Sequence, residues 1–411
     1  MKILLATYWP IPHVGGVWTY MEQLREKLEE FGHEVDVIGY DEENNSVQLY
    51  TEKRVLARDK VIPLVNAHLK PENYPDLYSN FLVKWTEIQR YVYELSVAYF
   101  GVKKYDLIHT QDVISTIALS RIKEEHTPLI ATLHGSVAHE IRKQLKTIHK
   151  SETSHIARAY YDKIESLGAT SAGKTIVANN WLDGILRNEF NVNASQLEIL
   201  HYGFDTHKFI KKLKKKPTML APKDKSVILY AGRLVELKGI NYLISALAEL
   251  KKERQDWVCW IAGTGEKEAE LKKQVRELGL ENDVLFLGKR EDIPSLLGQS
   301  TIFVLPTLIE NQPLSVIEAQ VAGKPVIASE VGGIPEIIEH GVTGILTPAE
   351  DEIMLCKNIE MLLANKKYRK MLGSNAKKWG MTNWSIDKGM RELLKIYIAE
   401  IEAKKQGDSH A

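Results

Sequence analysis

Cysteine is nearly absent. The 411 residues hold two, Cys259 and Cys356, on separate segments and with no Cys-x-x-Cys pair. That excludes a disulfide framework and gives no support to a thiolate metal site. Net charge is missing too: 54 Lys and Arg meet 54 Asp and Glu. A whole-protein field for nucleic acid is therefore not expected, and no nucleic-acid partner is assigned. No apolar run approaches the ~18 residues of a membrane span. The opening apolar stretch is cut by Pro10 and Pro12, too brief for a signal peptide. What remains is an average globular composition, 44% hydrophobic and 26% charged, which fits neither a disordered nor a fibrous chain. At roughly 100–200 residues per domain, two or three domains are expected. The expectation is a cytoplasmic, soluble, multidomain protein.

The chain opens with a compact apolar run, Lys2 to Thr7, of the buried parallel type. A turn-rich loop from Trp9 to Gly16 follows, then a helix from Val17 to Phe31 with Met21, Leu24 and Leu28 on one face, then a strand at Glu34–Ile38. This β-loop-α-β opening, with glycines at the loop–helix junction, begins doubly wound α/β domains. The pattern recurs at Asp106–His109, Leu129–Leu133 and Thr175–Ala178. A second α/β series starts near Ser226, with strands at Ser226–Ala231, Trp257–Ala262, Val284–Leu287, Ile302–Leu305 and Pro325–Ala328. From Asp351 onward the chain reads as helical, ending in a charged tail that should fray. Two such sheets facing each other would leave a cleft at the carboxyl ends of their strands.

The segment Thr307 to Ala319 carries two glutamates, Glu310 and Glu318, separated by seven residues. Spacing alone decides nothing, since Glu22/Glu30 and Glu26/Glu34 share it and two solvated surface glutamates are the ordinary reading. Context decides. Glu310 falls in the loop after a strand, and Glu318 in the helix which that loop feeds. The amides near Gln312, Leu314 and Ser315 then form an uncapped helix start, with Pro313 near the first turn, and such a start favours anions. One carboxylate is placed to grip sugar hydroxyls and the other ribose hydroxyls.

Gly232-Arg233 to Lys238-Gly239 follows a strand and opens a helix. Arg233 offers a planar fork of donors and Lys238 a mobile point charge. Two cations and helix amides can stabilise the charge on a departing nucleoside diphosphate without a metal. Gly263-Thr-Gly265 alone reads as a tight turn, and Gly15-Gly16 as flexible backbone at a helix start. Each also stands at the strand end where it can approach a nucleotide. His134, which ends the strand Leu129–Leu133, is read as a sugar-hydroxyl partner over a purely structural histidine.

Together these segments resemble family 4 of the retaining glycosyltransferases, whose GT-B fold has two facing Rossmann-like domains with a deep interdomain cleft. The resemblance is strongest from Ser226 to Asp351. It includes Gly232-Arg233…Lys238-Gly239, Ile261-Ala-Gly-Thr-Gly-Glu266, the Glu310/Glu318 segment and Glu318-Ala-x-x-Ala322-Gly323-Lys-Pro-Val. It continues through Gly332-Gly333-Ile-Pro-Glu336 to Gly344. The first half matches more loosely, through Gly15-Gly16, Asp106-Leu-Ile-His109, His134-Gly135, Ile176–Asn180 and His201-Tyr-Gly203-Phe-Asp205.

By that resemblance Arg233 and Lys238 bind the donor diphosphate, Glu318 the ribose, and Glu310 with the amides of Gln312, Pro313–Leu314 and Ser315 the donor sugar. Gly263 and Gly265 border the nucleotide, Gly15 and Gly16 approach the diphosphate, and His134 contacts the sugar. The resemblance implies transfer from a nucleotide-diphosphate sugar, most simply UDP-linked, with retention and with neither cofactor nor metal. Two departures bear on the sugar: Asn311-Gln312-Pro313 stands where many members have small residues and an aromatic, and His201-Tyr202-Gly203 replaces a commoner Asn-Gly.

The implied domains are an N-terminal acceptor-binding domain over 1–205, a linker over 206–225, a nucleotide-sugar domain over 226–380, and a C-terminal helix over 381–411 returning towards the first domain. The run Lys211–Lys216 reads as a solvated linker or as a contact with anionic lipid or a phosphorylated acceptor. The acceptor would be a glycan, a lipid-linked sugar or a small molecule, so peripheral membrane contact stays open. Tyr78, Trp85, Tyr91, Tyr93 and Tyr99 read as helix core or as a groove for that acceptor, and the basic stretch Arg142 to Lys150 is a second candidate. Three alternatives share the architecture: a phosphorylase, a nucleotide-sugar epimerase, and a catalytically silent glycan-binding or assembly protein. Intact Arg233, Lys238, Glu310 and Glu318 argue against the silent one.

Overall fold

The computed structural model describes residues 1–13 and 15–408. Residue 14, within the stretch Trp9 to Gly16 expected to be turn-rich, and 409–411, the end of the tail for which fraying is expected, lie outside the described residues. The chain divides into two compact units. Unit 1 comprises Met1–His13, Val17–His201 and Lys388–Ala411, and unit 2 comprises Val14–Gly16 and Tyr202–Asp387.

Unit 1 is built on an eight-stranded sheet. Its strands are β1 (Lys2–Pro10), β2 (Glu34–Tyr40), β3 (Ser46–Leu49), β4 (Arg54–Ala57), β5 (Leu107–Thr110), β6 (Leu129–Leu133), β7 (Lys174–Val177) and β8 (Leu197–Ile199). They run in the order β4-β3-β2-β1-β5-β6-β7-β8. The central strands are parallel, and β3 and β4 form an antiparallel edge. All four residues of β5 and all five of β6 are buried. Near-continuous burial is what a parallel sheet covered on both faces requires. The strand order reverses direction between β1 and β5, which makes their carboxyl ends a topological switch point.

The edge hairpin is absent from the sequence reading, because its strands are short and partly exposed. The strand β1 also runs three residues beyond the expected Thr7, with a register shift between Ala6 and Pro10.

Unit 2 holds a six-stranded, wholly parallel sheet. Its strands are β9 (Ser226–Ala231), β10 (Trp257–Ala262), β11 (Val284–Gly288), β12 (Ile302–Leu305), β13 (Val326–Ser329) and β14 (Ile345–Thr347). The order is β11-β10-β9-β12-β13-β14, so the switch point falls between β9 and β12. The helix Ile240–Glu253 shows how the core forms. Ile240, Leu243, Ile244, Leu247 and Leu250 recur at helical spacing and are all buried. Each such side chain contributes roughly 1.5–3 kcal/mol of burial before the entropy of ordering it.

The stretch 206–225, expected to be a linker, begins as structure. Thr206–Leu213 is a helix capped by Asp205, whose carboxylate accepts from the Lys208 amide at 2.8 Å. Phe209 is buried in the unit 2 core and Ile210 packs against it. The lysines occupy the outer face of an amphipathic helix, so their number hid the apolar side from a composition-based reading. Among the described residues no helix is long and apolar enough to cross a membrane.

Candidate active site

In unit 2 four loops leave the carboxyl ends of neighbouring strands and are tied together by backbone hydrogen bonds. Gly232 N donates to Ala262 O at 3.0 Å, and Leu234 N to Thr264 O at 2.9 Å. Leu308 N donates to Leu237 O at 2.8 Å, and Gly333 N to Glu310 O at 3.1 Å. Glycine is required at the crossings. A Cβ at Gly263 (φ +145°) would lie 1.9 Å from Gly232 O, and one at Gly332 (φ +59°) would lie 1.8 Å from Glu310 O. Gly265 likewise lies against Leu234 O, at 2.3 Å from its would-be Cβ. The glycine identity of positions 263 and 265 is thus accounted for by the approach of the β9 loop.

These loops bring Lys238 and Glu310 together as an ion pair, with side-chain exposures of 18% and 16%. Arg233 is exposed and makes no ion pair among the described residues. Its carbonyl accepts from the Tyr230 hydroxyl at 2.8 Å, which fixes the backbone from which the guanidinium extends. Four residues beyond Glu310 the helix Leu314–Val321 begins, with Pro313 as its extended first cap and no side chain capping it. Its first-turn amides, at Leu314 and Ser315, give the helix a positive end.

Glu318 lies in that helix and is half-buried. Burial pushes its carboxyl up to about 7, against the opposing effect of Lys212. One lysine of the basic run therefore acts on this carboxylate.

The two segments that depart from the family pattern meet. Asn311 Nδ2 donates to the Tyr202 hydroxyl at 3.2 Å, and Tyr202 N points to Gln312 Oε1 at 3.4 Å. Asn311, Gln312 and Tyr202 are all buried. A tyrosine in one loop and amides in the other form one arrangement, a link between residues 110 positions apart. Nothing in the local sequence of either segment links the two departures.

In unit 1 His134 follows β6 directly and is half-buried. Its Nε2 lies 3.0 Å from Gln111 Oε1, so Nε2 carries the proton and donates. Burial pulls the imidazole down to about 3, which keeps it neutral. Gln111 follows β5, and Asp112 beside it caps the helix Val113–Ile122 by accepting from Ser115 N at 2.7 Å. Asp112 also accepts from Thr7 Oγ1 and Tyr8 N, which binds the end of β1 to that of β5. Gln111 was missed by sequence reasoning; the available signal was its place at the end of an internal parallel strand. Gly16 opens the helix Gly16–Glu30, and Gly15 lies in the bend before it.

Behind His134, the helix Val137–Gln144 is capped twice. Ser136 accepts from His139 N at 3.2 Å, and Glu165 accepts from Ala138 N at 2.9 Å. Glu165 is fully buried, its second oxygen has no hydrogen-bond partner, and burial pushes its carboxyl up to about 8.

The aromatic stretch divides along the helix Phe81–Phe100. Tyr93 is core, whereas Trp85 and Tyr99 are exposed and Phe81 stacks on Trp85 at 6.4 Å between ring centres. In the basic stretch Arg142 is bound to Asp162 and Glu189. Among the described residues no group of three His, Cys, Asp or Glu side chains is placed to hold a metal ion.

Comparison with known proteins agrees with this architecture. Residues 211–379 match the family described as glycosyl transferases group 1, and residues 14–208 the glycosyltransferase family 4. An uncharacterised glycosyltransferase of Methanocaldococcus jannaschii is 27% identical over 98% of this chain and 99% of its own. A UDP-Gal:α-D-GlcNAc-diphosphoundecaprenol α-1,3-galactosyltransferase of Escherichia coli is 27% identical over 72% of this chain and 76% of its own. Among solved structures, Anabaena HepE in complex with UDP superposes with a TM-score of 0.66, at 20% identity, over 97% of this chain and 100% of that one. Two Rossmann-like units, these loops and these matches agree: the chain belongs to the family 4 glycosyltransferases, of the group 1 type with the GT-B fold.

Proposed function

We propose that this glycosyltransferase moves a hexosyl group from a UDP-linked sugar to a glycan, lipid-linked or small-molecule acceptor, with retention and without a metal. The observation that carries the reading is the Lys238–Glu310 ion pair, set four residues before an uncapped helix start. An ammonium, a carboxylate and helix amides are thus collected at the switch point of a parallel sheet, where such folds bind ligands.

Lys238 and Arg233 hold the donor diphosphate in this reading. Glu318 accepts from the ribose hydroxyls, while Glu310 and the amides near Gln312–Ser315 hold the sugar. Gly16 approaches the diphosphate and His134 meets a sugar hydroxyl. As the bond from the anomeric carbon to the phosphate oxygen breaks, its electron pair passes to the β-phosphate. The acceptor oxygen bonds to the anomeric carbon from the same face, and its proton passes to the departing phosphate oxygen. The two cations and the helix amides stabilise the developing charge.

The relatives' names support a nucleotide donor, since one acts on UDP-Gal and another is a complex with UDP. The test is a thermal-shift screen of UDP-, GDP- and ADP-sugars. Selective stabilisation by a UDP-sugar supports the reading, because a ligand that binds only the native state raises its melting temperature. Stabilisation by GDP- or ADP-sugars alone overturns the donor assignment.

A further inference from the structure

Unit 1 contains a buried polar chain that the transfer chemistry does not use. It starts on the C-terminal helix Ile386–Asp408, at Tyr397, which is completely buried. The Tyr397 hydroxyl lies 2.6 Å from His109 Nδ1. On the other side of the ring, His109 Nε2 lies 2.7 Å from Thr132 Oγ1. Burial raises the Tyr20 hydroxyl, and Thr132 acts on it in the opposite direction, as a neighbouring donor does. The Tyr20 ring packs edge-on against the His134 imidazole, with 5.0 Å between centres. His109, Thr132 and Tyr397 are each 0% exposed.

Polar groups buried this deeply are held in one arrangement, because an unmade bond there leaves a desolvated donor or acceptor. Burial, with His134 nearby, pulls His109 down to about 3, so its ring is neutral. A neutral imidazole donates from one nitrogen and accepts at the other. A phenol donates more readily than it accepts, so Tyr397 donates to Nδ1, Nε2–H donates to Thr132, and Thr132 donates to Tyr20. The direction of every bond is set at Tyr397. At the far end, Tyr20 and Gln111 contact His134 from two sides, one through its ring and one through its amide oxygen.

We propose that Tyr397 is a positioning residue for His134, acting through His109, Thr132 and Tyr20, so that the C-terminal helix sets the orientation of a histidine in the transfer site. The functional part of the proposal rests on the reading of His134 as a donor-sugar contact.

The experiment is Tyr397→Phe in the full chain, which deletes one hydroxyl and keeps the ring, read by imidazole nitrogen spectra of isotope-labelled histidine. The expected result is that both His109 and His134 resonances move while His33, at the opposite strand end, does not. UDP release from UDP-glucose should fall roughly ten- to a hundredfold, as for a small misplacement of a contact group, with KM little changed. Thr132→Val cuts the same chain one link on, and the double variant should cost no more than the larger single. If His109 resonances move and those of His134 stay in place, or if the two losses add fully, the proposal is overturned. If His134 moves and turnover stays at the wild-type level, the chain stands and the sugar-contact reading of His134 falls.

Discussion

Lys238 and Glu310 lie 72 residues apart in sequence and meet as an ion pair. Their meeting follows from strand order. Lys238 sits in the turn that leaves β9, Glu310 in the loop that leaves β12, and β9 and β12 are neighbours although two strands intervene in the chain. The pair therefore marks the switch point of the sheet, the position at which both loops diverge from one gap.

The two partners have different jobs in the proposed reaction and should fail differently. Glu310→Gln should lower turnover a hundredfold or more, the usual order for a group aimed at the transition state, with UDP affinity nearly kept. Lys238→Ala should weaken UDP binding by roughly ten- to a hundredfold, the cost of losing a charge-assisted hydrogen bond. Calorimetry and initial rates on both variants check this. Equal losses of affinity in the two variants would contradict the division of roles.

Glu318 should make donor binding pH-dependent. Its carboxyl is raised to about 7 by burial, and only the carboxylate form accepts from ribose hydroxyls. The affinity for UDP-glucose, whose diphosphate does not titrate near neutrality, should fall as the pH is lowered through about 7. In Glu318→Gln that dependence should vanish at a lower affinity. Titrations at several pH values check it, and a pH-independent wild type would contradict it.

Glu165 should govern stability. Its folded value of about 8 is above its unfolded value, so between the two the native state holds a proton that the unfolded chain has released. Stability is then lost as the pH rises from the ordinary glutamate range through about 8, by a few kcal/mol in all. Melting temperatures across that window should decline in the wild type. The decline should be shallower in Glu165→Gln, which carries the same shape without the charge.

Gly332→Ala should damage the site through the backbone. Its φ of +59° disfavours a side chain, and the added Cβ would meet the Glu310 carbonyl oxygen at 1.8 Å. Strain of about 1–3 kcal/mol is expected, with Glu310 displaced. A lower melting temperature together with a turnover loss approaching that of Glu310→Gln checks this. Full activity in a destabilised variant would show that the loop relaxes elsewhere.

The sequence is most legible where chemistry and local pattern coincide. Glu310 and Glu318 fall in the loop and helix that a strand ending at Leu305 implies, because strand, loop and helix start all lie within seventeen residues, Ile302–Glu318. Long-range geometry is less legible. The lysines of 211–216 conceal Phe209, Ile210 and Leu213, whose i, i+1, i+4 spacing was the available helix signal. Gln111 and Tyr20 reach His134 from other elements, and Tyr202 meets Asn311 across the unit 2 fold. Such contacts depend on strand order, which no local window contains.

The most direct measurement of the central claim is a crystal structure of the protein soaked with UDP. The diphosphate should lie within hydrogen-bond reach of Lys238 Nζ and the Leu314 and Ser315 amides, with the ribose hydroxyls on Glu318. UDP bound at any other place, with those groups untouched, would contradict it.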